Sequence, residues 1–214
     1  YFRISAFKDY GLLSGRNVQE MELQSRIDTE HEKENPLDFA LWKKKQEGEP
    51  FWESPFGEGR PGWHIECSAM SMKYLGTTFD IHGGGQDLVF PHHENEIAQS
   101  QACSSVPLAR YWIHNGFITV QKEKMSKSLK NFKTVRDLAV IFPPMHLRFY
   151  LISTHYRSPL DFSDHLIKSA AEGLLKIENT LSGIKVLFRD HQRDLKMEDI
   201  IPPKEFMNAM CDDF

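Results

Sequence analysis

The sequence predicts an α/β fold that passes into a helical region, and three observations carry the prediction. The run Thr77-Thr78-Phe79-Asp80-Ile81-His82, rich in β-branched and aromatic residues, reads as a short strand that Gly83-Gly84-Gly85 ends. It lies between two stretches that read as helices. One is Glu66 to Leu75, closed by Gly76; the other is the breaker-free run His92 to Gln99 behind Pro91, a residue suited to the first helical position. After Phe142-Pro143-Pro144 the texture changes, and apolar residues recur at helical spacing: Leu166, Ala170, Leu174, Ile177, Leu181, Ile184, Leu187 and Phe188.

The remaining segments follow in chain order. Val18 to Gln24 reads as a short helix, and the charge-rich Asp28 to Glu34 as a solvated face. Phe39, Leu41 and Trp42 form an apolar group, whereas Glu47 to Gly57 is turn-rich, with aromatics suited to anchoring a loop. Tyr111 to Val120 reads as β structure leading to a mobile loop. From Lys122 to Arg136 six basic side chains face one acid, Glu123, an ordinary solvated pattern except for Met125 and the paired serines inside it. His146 to Ile152 is apolar and helical, Tyr156 to Ser163 is a connection, and Arg189 to Phe214 is polar.

At 214 residues the chain is long enough for one large domain or two small ones with a sizeable core. Its 40% hydrophobic and 26% charged residues are ordinary for a globular protein, and neither a membrane-spanning apolar run nor a signal peptide is present, so no membrane partner is expected. Cys67, Cys103 and Cys211 make an odd count without disulfide spacing, which fits a reducing compartment. With a net charge of −4, a nucleic-acid partner would be held by local patches rather than by overall charge. The first residue is Tyr1 rather than methionine, which suggests a fragment.

Between Gly62 and Gln101 the chain concentrates Cys67, four of its ten histidines, two glutamates near Pro91, and the triple glycine followed by Asp87. That is the composition of a site. On a helix His92 and Glu96 are four apart and share a face, so an imidazole nitrogen and a carboxylate oxygen can reach one cation. Cys67 can add a thiolate, and sulfur, imidazole and carboxylate together suit Zn²⁺. Spacing alone also allows Cys67 to be a small buried hydrophobe, His92 and Glu96 a surface pair, and Trp63 a core residue. The triple glycine lets a backbone approach a ligand closely, and Asp87 can accept a ribose hydroxyl.

Three stretches, GRPGWHIECSAM (59–70), FDIHGGGQDLVFPHHENEIAQSQ (79–101) and KMSKSLKNF (124–132), stand in the order and spacing found in cysteinyl-tRNA synthetases, which are class I aminoacyl-tRNA synthetases. The chain resembles that family from near Gly11 to about Ser182. KMSKS alone indicates only the class; the other two stretches narrow it to the cysteine enzyme and a close relative. The resemblance implies the C-terminal half of a Rossmann-like nucleotide-binding domain followed by an α-helical domain. Residues 1–35 would be the tail of an inserted connective domain, and 36–144 the half-domain with the zinc site and the KMSKS loop. Residues 145–214 would be the stem-contact region and the start of a helical tRNA (anticodon)-binding domain.

The resemblance also implies roles. Cys67, His92 and Glu96 would be three of four ligands of one zinc ion, and Trp63 would wall a cysteine pocket with His64 and His82 nearby. Gly83, Gly84, Gly85, Asp87 and Lys127 would bind ATP, and Lys124 and Lys127 would act in catalysis, with Lys127 meeting charge that develops at the α-phosphate and pyrophosphate. The implied activity is cysteine–tRNA ligation: Mg-ATP and cysteine give cysteinyl-adenylate, and the aminoacyl group passes to tRNA(Cys) in the cytoplasm or an organelle. No His-x-Gly-His signature and no cysteine ahead of Cys67 are present, so the other half of the family's site is missing and the chain alone is expected to be poorly active or inactive in adenylation. Competing readings are a cysteine ligase acting on an amino sugar, a noncatalytic truncated paralogue, and a zinc hydrolase. The sequence leaves the oligomeric state open.

Overall fold

The computed structural model describes residues 1–18, 33–120, 123–125, 129, 131–190 and 201–212. They form two compact units, Tyr1–Asn115 and Gly116–Phe214. Of the Val18–Gln24 helix only Val18 lies among these residues, and most of the charged Asp28–Glu34 run lies outside them.

In the first unit, strand β1 (Trp42–Lys44) pairs antiparallel with β2 (Gly59–Pro61). Extended Gly62 leads into helix α1 (Trp63–Leu75), which begins at Trp63 rather than Glu66 and ends on Gly76, at a φ of 90° that glycine tolerates best. Strands β3 (Phe79–Gly85) and β4 (Ala109–Asn115) then pair in parallel, with helix α2 (Glu94–Ser104) in the connection between them. A parallel pair needs such a crossover. Phe79, Leu108 and Ala109 are buried here, with Met72 of α1 and Trp112 of β4 packed against them. Ala98 of α2 joins a second cluster with Ile4, Tyr10 and Phe39.

Two expectations are corrected in this unit. Gly83, Gly84 and Gly85 do not end β3; they continue it, opposite Ile113, His114 and Asn115. Glycine leaves room there for neighbouring side chains: a Cβ on Gly84 would sit 2.8 Å from Leu88 Cδ1 and 3.0 Å from His93 Cε1. Regular helix also starts at Glu94, not at Pro91. Phe90 is extended (φ −139°, ψ 133°), as a residue ahead of proline tends to be, and Val89–His93 form one wide turn that carries His92 and His93 into the interior.

The second unit opens with a small sheet in which β5 (Ile118–Val120) lies between antiparallel β6 (Glu123–Lys124) and parallel β7 (Leu160–Asp161). The Tyr156–Ser163 segment is therefore not only a connection, because its Leu160 and Asp161 meet Ile118 and Thr119. Helix α3 (Val135–Ile141) starts at a reciprocal cap between Thr134 and Asp137, and α4 (Pro144–Ile152) starts on proline. Helices α5 (Asp164–Asp190) and α6 (Lys204–Cys211) follow. Leu138, Phe142, Leu147, Tyr150, Phe162 and Ile167 make the core, with Met125 packed against it. The helical spacing after Leu166 is thus borne out, but from Leu175 to Leu187 every side chain of α5 is exposed. No helix of the described residues is long and apolar enough to cross a membrane.

Candidate metal centre

The centre is built where α1, β3 and the wide turn before α2 converge. Cys67 on α1, His92 on the turn and Glu96 on the first turn of α2 each offer a ligand atom, and all three atoms lie within 4.8 Å of one another. His92 Nε2 is 2.7 Å from one Glu96 oxygen, and His82 Nε2, from β3, is 3.2 Å from the other. Glu96 is 0% exposed, and neither approach has the direction of a hydrogen bond, so both carboxylate oxygens lack a donor. A fully buried carboxylate in that condition is costly unless a cation or proton compensates it. A second trio, His82, His93 and Glu96, meets the same distance limit and shares Glu96.

Electrostatics favour neutral imidazoles. Burial, opposed by Glu96 and reinforced by His82, holds the His92 pKa below the usual histidine range. Burial first, and then neighbouring His92 and Lys43, lower His64 to about 4; burial and the surrounding histidines His82, His114 and His92 lower His93 to about 3. His64 Nδ1 lies 2.8 Å from His92 Nδ1. If His92 donates from Nδ1 to a neutral His64, its Nε2 carries the lone pair and is free for a metal. Cys67 moves the other way: burial, and then Glu96 and Glu66, push its thiol up, so the proton leaves readily only against a cation. Thiolate, imidazole and carboxylate around one point therefore fit a Zn²⁺-type ion.

The chain also matches known proteins. Residues 1–172 match the family described as the tRNA synthetases class I (C) catalytic domain. The chain belongs to that family. The "Cysteine--tRNA ligase" of Carboxydothermus hydrogenoformans is 55% identical to it over 217 residues, covering 100% of this chain and 47% of that protein. The proteins of the same name from Heliobacterium modesticaldum and Thermococcus onnurineus are 56% and 52% identical, each again over 100% of this chain and 47% of the relative. The chain thus spans about half the length of the curated relatives it matches. A solved ternary complex of a LeuRS with tRNA and LeuAMS from Agrobacterium radiobacter K84 overlaps 65% of this chain and 21% of that one, at a TM-score of 0.45 and 16% identity.

Within this class I catalytic domain the expected site residues fall into two groups. Trp63, His64, Cys67, His82, His92 and Glu96 come together: the Trp63 ring stacks on His92 at 4.1 Å between centroids and on His64 at 5.5 Å, while remaining more than half exposed. Gly83, Gly84 and Gly85 lie on β3, which also carries His82, and exposed Asp87 follows them. Lys124 belongs to the second unit, where its ammonium lies 4.1 Å from the Phe117 ring centroid; Lys127 lies outside the described residues.

Several partners escape sequence reasoning. His114 Nε2 pairs with His93 Nδ1 at 2.8 Å, and Trp112 lies edge-on to His82 at 4.7 Å. The parallel register puts His82 opposite Trp112 and Gly84 opposite His114, which no local spacing announces. Glu94 is also buried, yet fully engaged: Gly11 N–H and Ser14 N–H donate to its two oxygens, each at 2.9 Å, while Tyr10 donates to Asn95 at 2.5 Å.

Proposed function

We propose that this chain is the part of a cysteine–tRNA ligase that recognises cysteine through zinc. The single observation that carries the reading is the Glu96 carboxylate, fully buried without a hydrogen-bond donor and clustered with Cys67 and His92. Close relatives bear the name of that activity over the whole of this chain. Cys67, His92 and Glu96 would hold the ion, and a fourth ligand would come from outside this chain or from the substrate. Bound there, zinc would lower the pKa of a substrate thiol and favour sulfur over a serine hydroxyl, a discrimination that pocket shape alone makes weakly.

The chain's own groups do the remaining work. Neutral His64 would accept from His92 Nδ1 and so hold the His92 tautomer, and Trp63, stacked over both rings, would wall the side of the site where the substrate side chain lies. Gly83, Gly84, Gly85 and Asp87 would meet ATP, and Lys124 and Lys127 would oppose the charge that builds on the phosphates as the cysteine carboxylate displaces pyrophosphate. The aminoacyl group would then pass from AMP to the terminal ribose of tRNA(Cys). In this reading residues 1–35 end a connective insertion, 36–144 complete a Rossmann-like half, and 145–214 begin a helical domain facing tRNA. The work would be done in the cytoplasm or an organelle, with Mg-ATP as co-substrate.

The test is zinc content and cysteine-dependent ATP–pyrophosphate exchange in the protein extended to the length of its relatives, wild type against Cys67→Ala. About one zinc per chain, lost together with exchange in the variant, supports the reading. Exchange that persists without metal contradicts it.

A further inference from the structure

Cys67 sits on a different helix from Glu96, so something must set the distance between α1 and α2 at the level of the metal. Next to Cys67 is Ser68, 2% exposed, and one helical turn beyond Glu96 are Gln99 and Ser100, 6% and 2% exposed. Gln99 Nε2 donates to the His64 carbonyl and to Ser68 Oγ, both at 2.6 Å, and Ser100 Oγ donates to Ser68 Oγ at 2.9 Å. The amide thus spans one full turn of α1, from His64 to Ser68, and Cys67 lies within that turn. Its orientation is set by chemistry: turned over, its oxygen would face the His64 carbonyl with no proton between them. Holding that orientation leaves Gln99 Oε1 buried without a donor. A pair of helices that needed only contact would pack apolar side chains here and avoid that cost.

We propose that Gln99 and Ser68, supported by Ser100, are positioning residues for the Cys67 metal ligand. They fix the rotation and height of α1 against α2, so that the thiolate, His92 and Glu96 meet at one point. The same Gln99 bond also holds the His64 backbone, so the support reaches both the thiolate arm and the imidazole arm of the site. This inference rests on the metal reading given above.

The test uses the full chain, loaded with Co²⁺ for its thiolate charge-transfer absorption and with Zn²⁺ in chelator competition. Wild type is compared with Ser68→Ala, Gln99→Met and the control Cys67→Ser. The expected result is a roughly tenfold or greater loss of Zn²⁺ affinity in both supporting variants, in the range seen for outer-shell partners of metal ligands. It comes with a weakened Co²⁺–thiolate band, and it exceeds what the lowered melting temperature of the metal-free protein accounts for. Unchanged affinity and an unchanged band in Ser68→Ala and Gln99→Met would overturn the proposal, whatever their stability. Should Gln99→Met not fold, Ser68→Ala decides alone. If Cys67→Ser itself binds Zn²⁺ like wild type, the metal reading fails instead, and the two failures are told apart.

Discussion

The two units differ in what they bury beside their apolar clusters. In the first, Asp38, Ser68, His92, His93, Glu94, Asn95, Glu96, Gln99 and Ser100 are all buried, and eight of these nine lie on α1, the wide turn or α2; in the second, every buried residue among those described is apolar or Tyr150. An apolar core is favourable as it stands, whereas each buried polar group must be matched with a partner or it opposes folding. The contrast is sharpest between Glu94 and Glu96. Both are fully buried on the same helical turn, yet one accepts two backbone N–H groups and the other accepts none. Stability is therefore the business of the apolar clusters of both units and of Glu94, and chemistry that of Glu96.

Substitutions can break or sharpen that division. Ile167→Ala empties a fully buried position of the second core and should cost about 2–5 kcal/mol by denaturant unfolding, with bound zinc per chain unchanged. A loss of metal in that variant would mean that the division is wrong. Acid should act on the first unit. His93, lowered from 6.5 to about 3, and His64, lowered to about 4, are neutral in the fold, so the unfolded chain binds more protons below pH 6.5. Their contribution is complete above pH 6.5 and is lost as pH falls, by on the order of 3 kcal/mol at pH 4 from His93 in the metal-free protein. Melts of metal-free protein between pH 7.5 and 4 would measure it, and a flat profile would contradict it. Glu94→Gln keeps one acceptor oxygen of two, so it should cost about 1–3 kcal/mol while leaving metal affinity within a few-fold of wild type.

Much of this was readable in the sequence wherever the relation is local. The i,i+4 step from His92 to Glu96 and the apolar period after Leu166 both appear in the structure, at 2.7 Å and as α5. What was not readable depends on pairings distant in sequence. The triple glycine reads locally as the end of a strand because nothing nearby shows that it faces the His93 ring; the parallel register of β3 with β4 brings His93, Gly84 and His114 together. Gln99 reads as an ordinary helical surface residue until α1 is laid against it, and Tyr10 reaches Asn95 across 85 positions.

The central claim is that Glu96 is kept buried and without a hydrogen-bond donor for a cation. It is tested most directly by Glu96→Gln, assayed at pH 8 for Zn²⁺ affinity and for the melting temperature of the metal-free protein. The account predicts that zinc binding is lost while the metal-free variant melts at or above the wild-type temperature, because an uncompensated buried charge has been removed. Zinc binding at wild-type affinity, or a metal-free protein that is clearly less stable, would contradict it and make Glu96 a structural residue like Glu94.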